Sequence, residues 1–321
     1  MPNTLLTPTQ VTREALVILH QKLNFIGNVN RQYDSSFAKD GARIGDSLKI
    51  RLPNQYVVRT GAALSAQNTN ETSVTLQVST QKGVDLNFTS TDLTLSLDDF
   101  SDRILKPAMS VLAANIESDM LQNVYKNVYQ QVNNQGSAIT FKKVLEGKKK
   151  LIDSLSPPDL NLLLSTQDNI DLVDSLKGLF QDSKEIAKQY RDGLIGRTGG
   201  FDIWENTLMP THSRGAANAS YVCNTSTGIT SGTATITLSG GSGTIAAGDI
   251  FTIEGVFRVH PETKVSTGVL QQFVATADGT TSIVASPTPV TSGAAQNITV
   301  EAAGAGKVVT VAGTISTAHG V

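Results

Sequence analysis

The chain is short of charge, cysteine and histidine, and each shortage narrows what it can be. A single cysteine among 321 residues, Cys223, excludes an intramolecular disulfide and a cysteine-based zinc site. Such usage suits a reducing compartment. Charged residues make up only 17% and the formal net charge is −2, so bulk positive charge cannot hold the chain on nucleic acid. The histidines are His20, His212, His260 and His319, and none has a second His, Cys or paired carboxylate at metal-ligand spacing. No Gly-Lys-Ser/Thr phosphate loop and no Gly-x-Ser-x-Gly elbow occurs. No apolar run approaches the ~20 residues of a membrane helix. The first residues lack a basic stretch followed by a long apolar one, so no secretory signal is expected. The expectation is a protein without catalytic, metal or cofactor residues: not an enzyme, with no small-molecule substrate and no membrane partner.

What is present is an uneven chain. Hydrophobic residues reach 39%, enough for a real core, and 321 residues allow two or three domains. Residues 1–215 hold 23 basic and 23 acidic residues, whereas residues 216–321 hold 3 and 5. The second region also carries 14 of the 27 glycines. A composition shift of this kind marks a domain boundary near residue 216.

Periodicity predicts the elements. Residues 8–23 read as a short amphipathic helix with Pro8 near its start and Val11, Ala15, Leu16, Leu19 and Leu23 on one face. Strands are expected at 47–52, 55–59 and 72–80, the last alternating with Val74, Leu76 and Val78 on one face. Two such arms around the polar stretch 60–70 suggest a long projecting hairpin, with a further strand at 86–95. Residues 97–130 form the longest regular stretch: Ser96 as cap, Asp98, Asp99 and Asp102 at the positive end, then Phe100, Ile104, Ala108, Leu112, Ile116, Met120, Val124 and Val128, joined by Val111, Leu121 and Tyr125. Its length would be about 50 Å, with Pro107 as a kink or as the true start. Residues 138–215 read as a compact α/β unit: helices at 141–155, 167–180 and 183–190, and strands at 160–164 and 201–209. Beyond residue 216, short β segments at 233–238, 250–254, 269–275, 282–285, 297–301 and 307–311 fit a small barrel or sandwich.

Residues with a chemical look have plainer explanations. Residues 241–246 resemble a glycine turn for a dinucleotide, but a strand follows where a helix would have to present its amides. Lys142, Lys143 and residues 148–150 form a basic run that could touch nucleic acid or a scaffold; the solvated face of a helix explains it more simply. The acidic cluster Asp98, Asp99 and Asp102 suits a helix N-terminus rather than a metal. Five glycosylation-type triplets, at Asn70, Asn87, Asn218, Asn224 and Asn297, are read as chance.

Residues 248–264, continued by 268–274, are the most distinctive stretch: a strand, a tight glycine turn at Gly255, and a second strand ending in a turn at Pro261. This wording resembles the accessory β domain inserted in major coat proteins of the gene-5-protein type from short-tailed phages. Residues 190–202 resemble the glycine-rich loop and strand of the same family, and the order of parts resembles the Hong Kong 97-type (Johnson) major capsid fold. The resemblance implies an α+β fold with an N-terminal arm and helix (1–46), an E-loop hairpin and strand (47–96), a spine helix with P-domain and A-domain core (97–215), and an inserted all-β barrel-like domain (216–312). Residues 313–321 would begin a return to the core. In the family further strands follow there, so a truncated product is expected.

The function implied is a coat subunit of a tailed double-stranded DNA phage, assembled in the host cytoplasm and resident in the virion. Partners would be further copies in pentamers and hexamers, scaffolding, portal and decoration proteins, and packaged DNA by non-specific proximity. Interaction residues expected on this reading are Val74, Leu76, Val78, Ile116, Arg191, Asp192, Phe257 and Arg258. Aspartate at Leu76 or Ile116 is expected to stop assembly by burying an unpaired charge. Three rivals remain: a bacterial nanocompartment shell, a tail or surface adhesion protein with a β-rich binding domain, and an enzyme of unknown type that only a measured activity would revive.

Overall fold

The structure, a computed structural model, describes residues 8–29, 45–87 (save 53, 55, 57, 70 and 72), 100–176 (save 135), 197–217, 221–223, 234–287, 297–300 and 311–312. The chain is α+β. It divides into two units, Met1–Leu23 with Gly27–Ile116, and Asn24–Ile26 with Glu117–Val321.

In the first unit, helix α1 (Pro8–Lys22) packs Ile18 against Phe100 and Leu105, with Val11, Ile104 and Met109 around them. Leu16, expected on the apolar face, is exposed instead. Strands β1 (Ser47–Arg51) and β2 (Ser73–Gln77) form an antiparallel ribbon from Ser47↔Gln77 to Arg51↔Ser73. Backbone bonds from Gly45 to the Val78 carbonyl (2.9 Å) and from Val78 to that of Asp46 (3.0 Å) lengthen it by a step. The expected strand at 55–59 is absent at its described residues, Tyr56, Val58 and Arg59, which are in no strand. Leu86 and Asn87 are likewise in none, and 88–95 lie outside the described residues.

The long helix is shorter and less regular than its periodicity suggests. A π-helical turn (Ser101–Leu105) leads into α3 (Lys106–Val124), and a 3-10 turn (Tyr125–Asn127) closes it. Val128 is extended (φ −94°, ψ 112°). The described stretch from Ser101 to Asn127 spans about 40 Å at 1.5 Å per residue. Ser96, Asp98 and Asp99 lie outside the described residues; Asp102 pairs with Lys106 on the surface. The α-helical stretch begins at Lys106, which places Pro107 in its first turn, in line with the expectation that it marks the true start. The N–H of Lys106 reaches back to Ser101, five residues away, and this widened turn lies just ahead of a residue that has no N–H and whose ring crowds the preceding turn. The buried row matches the expected one in part. Phe100, Ala108 and Leu121 are inside as expected, joined by Ser101, Leu105, Ala113 and Glu117, whereas Met120 and Val111 are exposed and Ile116 is half-buried.

The second unit contains two separate cores. In the first, β3 (Leu160–Leu164) runs parallel to β5 (Phe201–Glu205), β4 (Arg197–Thr198) edges β5, and β12 (Val311–Ala312) pairs antiparallel with β3, in the order β12-β3-β5-β4. Leu160, Leu162, Leu164 and Phe201 pack against helices α4 (Phe141–Ile152) and α5 (Thr166–Leu176) through Val144, Leu172 and Leu176. Leu163 points the other way, to Leu121 and to Phe25 of the one-turn helix α2 (Phe25–Asn28). Ser165 caps α5: its hydroxyl accepts the Asp168 N–H at 3.1 Å and donates to the Asp168 carboxylate at 2.6 Å. The strand expected at 201–209 stops at Glu205, because Asn206 turns the chain: its side chain accepts the Leu208 N–H at 2.7 Å. Residues 177–196, where one expected helix and part of another fall, lie outside the described residues.

The second core is a closed six-stranded barrel, β10-β7-β6-β11-β8-β9, with every described pairing antiparallel. Its strands are β6 (Tyr221–Cys223), β7 (Thr235–Ser239), β8 (Ile250–Val259), β9 (Ser266–Ala275), β10 (Ser282–Ser286) and β11 (Asn297–Val300). Phe251 and Phe273 face each other across β8 and β9 and stack at 5.6 Å, with Tyr221, Ile236, Ile253 and Ile283 among the residues that complete the interior. Gly255 is not the expected turn. β8 runs through it, and the register shifts between Thr252 and Phe257 around its φ of +77°. Only glycine takes that conformation freely, so the residue makes a bulge that bends a long strand. Val311 and Ala312, expected in the inserted domain, belong to the core sheet.

Candidate functional site

Three polar junctions tie the barrel to the α/β core. The first is at the end of the long helix. His212 Nε2 lies 2.8 Å from Asp249 Oδ1, and His212 Nδ1 lies 3.3 Å from the Tyr125 hydroxyl. The other Asp249 oxygen accepts the N–H groups of Gly215 (3.1 Å) and Ala246 (2.8 Å). Asp249 is 3% exposed, so its carboxylate is fully occupied inside the protein. Gly248 makes the contact feasible: its φ is +100°, and a Cβ there would stand 3.0 Å from the imidazole and 3.3 Å from the Tyr125 ring. Burial, aided by the Asp249 charge, pushes the Tyr125 phenol above its ordinary value of 10.0. The hydroxyl therefore stays protonated. With Nε2–H donated to Asp249, Nδ1 accepts from that hydroxyl; with a doubly protonated ring the hydroxyl turns and accepts. The junction persists in either state, which suits a structural pin.

The second and third junctions lie on the β8–β9 ribbon. Gln272 Oε1 accepts the Gln131 N–H at 3.2 Å and also the Lys150 ammonium, which reaches the Gln131 carbonyl at 2.5 Å. The Arg258 guanidinium donates to Ser154 Oγ at 2.8 Å and stands 3.9 Å from the Asp153 carboxylate. Ser154 also accepts from the Gln130 amide at 2.6 Å. Both junctions use the C-terminal turn of α4. There Leu155 takes a left-handed conformation (φ 58°), with Ser156 N–H on the Leu151 carbonyl and Leu155 N–H on that of Ile152. This Schellman-type closure fixes where Asp153 and Ser154 sit.

A fourth polar knot anchors the segment that carries α2. Glu117 is 2% exposed, and its carboxylate accepts the N–H groups of Asn24 (3.0 Å) and Phe25 (2.9 Å) and the side-chain amide of Asn206. A buried carboxylate with three donors is held by hydrogen bonds alone.

The residues singled out from sequence fall in different places. Val74 and Leu76 lie on β2 and are 43% and 54% exposed. Val78 is half-buried just beyond the strand. Between the ribbon strands Val58 is 93% and Leu64 87% exposed. Leu76 is thus a surface residue in the single chain, and a charge there would meet burial only against another surface. Ile116 is half-buried on α3. Arg191 and Asp192 lie outside the described residues. Phe257 is exposed on β8, opposite Leu270, and Arg258 forms the junction described above.

Four of the five lysines in the basic run of α4 are engaged within the chain, and Lys142 is exposed. Lys143 pairs with Glu146, Lys149 with Asp153, Lys148 donates to the Gly199 carbonyl, and Lys150 reaches Gln272. The Lys143 hydrogen bond holds the Glu146 carboxyl below its usual range. Residues 241–246 form a loop between β7 and β8, with no helix behind it. His260 serves its own turn, with Nδ1 3.3 Å from the N–H groups of Glu262 and Thr263. Sequence reasoning missed His212 with Asp249, Tyr125 with His212, and Glu117 with Asn206. These partners are far apart along the chain and share no spacing signal. Among the described residues there is no group of three or more His, Cys, Asp or Glu arranged for a metal, and no helix long and apolar enough to cross a membrane.

A protein of Mycobacterium phage Che8 has a solved structure similar to this one, with 16% identity, 89% of this chain and 90% of that chain covered, and a TM-score of 0.43. No protein-family model matches the chain, and no curated protein matches it.

Proposed function

We propose that the chain is the major capsid protein of a tailed double-stranded DNA bacteriophage, one of many identical copies that close into an icosahedral shell. The observation that carries this reading is the β1–β2 ribbon and its connecting segment. An isolated two-stranded ribbon is marginal in water, and here Val58, Leu64, Val74 and Leu76 all stand in solvent. Apolar residues held out on an extended ribbon fit an element completed by another surface. In a shell that surface is a second copy, and many weak contacts are multiplied by closure. The sequence resemblance at residues 190–202 and 248–274 points the same way.

The test is expression of the chain, alone and with a neighbouring scaffold-type gene, followed by sedimentation and electron microscopy. Closed shells or capsomer rings support the coat reading. DNA-free shells loaded with one host enzyme would favour a nanocompartment. A stable monomer under every condition would overturn self-assembly and favour an adhesion module.

A further inference from the structure

We infer that the barrel is a hinged body, pinned at His212 and latched by the β8–β9 ribbon, which can swing from the α/β core without unfolding. Four observations lead there. The two cores share no residue: Phe251, Phe273 and their neighbours form one cluster, and Leu162, Phe201 and theirs another. The junctions between them described above are polar. They also differ in burial. At the pin, Asp249 is fully enclosed and gathers His212 and the Gly215 amide, both of the segment leading into the barrel, with the Ala246 amide of its own β7–β8 connection. At the latch, Arg258 and Gln272 are half-buried and water can replace each bond. Finally, a closed barrel keeps its strand pairing when it moves, because no strand depends on the core sheet.

Polar contacts of this kind resemble those between domains that move, rather than those inside one core. Breaking the latch leaves the pin intact, so the motion is a rotation about the Tyr125–His212–Asp249 group. The latch then has two positions, and the barrel's outer face can be presented at two angles. This holds whether or not the chain builds a shell.

Pulsed electron-spin distance measurements on the full chain test the inference. In a Cys223→Ser background, labels go on Asp159→Cys after α4 and on Thr280→Cys in a barrel loop, both exposed. The expected result is one narrow distance, joined by a second, broader population when Arg258→Ala and Gln272→Ala are combined. Thermal unfolding of the barrel should keep its midpoint. An unchanged distribution in the double variant would overturn the latch. A broad distribution before substitution would show that no closed position is held. A lowered barrel midpoint would mean that the ribbon contacts support folding rather than docking.

Discussion

The barrel and the β1–β2 ribbon are both antiparallel β structure, and they treat their apolar residues in opposite ways. The barrel closes on itself, leaves no free edge, and buries Phe251, Phe273, Ile253 and Ile283 completely. Among the described residues the ribbon pairs with no third strand; Val74 and Leu76 are exposed, while Leu48 and Ile50 across from them and Val78 beyond are half-buried. Open edges and exposed apolar residues are usually suppressed in soluble monomers. The comparison teaches that the same alternating pattern supports stability only where a second layer covers it. Among the described residues nothing supplies that layer over Val74 and Leu76.

Substitutions can break this contrast. The largest loss of stability is expected for Phe251→Ala, which removes half of the stacked pair and opens the barrel centre, at about 3–5 kcal/mol. Denaturant unfolding followed by tryptophan-independent circular dichroism would measure it; a loss below about 1 kcal/mol would mean the interior collapses around the gap. Next comes Glu117→Ala. The amides of Asn24 and Phe25 and the Asn206 side chain lose their acceptor, costing about 1–3 kcal/mol. Hydrogen exchange should rise at residues 24–26 first, and uniform protection there would contradict the anchoring role. Leu76→Asp should change the unfolding free energy by less than about 0.5 kcal/mol, as surface substitutions do. On the coat reading it nonetheless stops assembly, so particles of normal size and yield would refute the ribbon's place in a subunit contact.

The smallest effect is a pH dependence. The Tyr125 phenol is raised in the folded chain, so its contribution is complete below the unfolded value near 10.0 and is lost as pH climbs through the folded value. Tyr221 is raised too, by burial partly offset by Arg214, and acts with the same sign. Tyr125→Phe should therefore lose less stability than the parent between pH 9 and pH 11. Identical alkaline slopes for the two chains would remove Tyr125 from the account.

Much of the barrel was legible because short apolar strands between glycine-rich turns leave few alternatives. Five of its six strands were expected close to their observed positions. The sixth, β6, is only three residues long, too short to show a period. Gly255 was misread because a glycine between two apolar segments marks a turn or a bulge with the same letter; pairing across to β9 decides which. The long helix was recognised, and Phe100, Ala108 and Leu121 among its expected apolar residues are buried. Leu112 and Ile116 are only half-buried and Met120 is exposed, while Ala113 and Glu117 are inside, and no hydrophobic pattern assigns a glutamate there. Its burial depends on donors from Asn24, Phe25 and Asn206, which only the folded chain brings together. The junction at His212 was illegible for the same reason.

The return of the chain at β12 has a topological consequence. The polypeptide leaves the core sheet after Glu205, beside Leu164, and comes back at Val311, beside Leu162. Both openings are at one end of the sheet, separated by the single strand β3, or about 10 Å at the usual strand spacing. Beyond Asn206, Leu208 and Met209, which still belong to the core, what lies between is a parenthesis in the sentence of the core: the strands on either side keep their grammar whatever is written inside. A barrel of another size could occupy the same brackets, which makes this the place where the chain can be lengthened or shortened without redrawing the sheet.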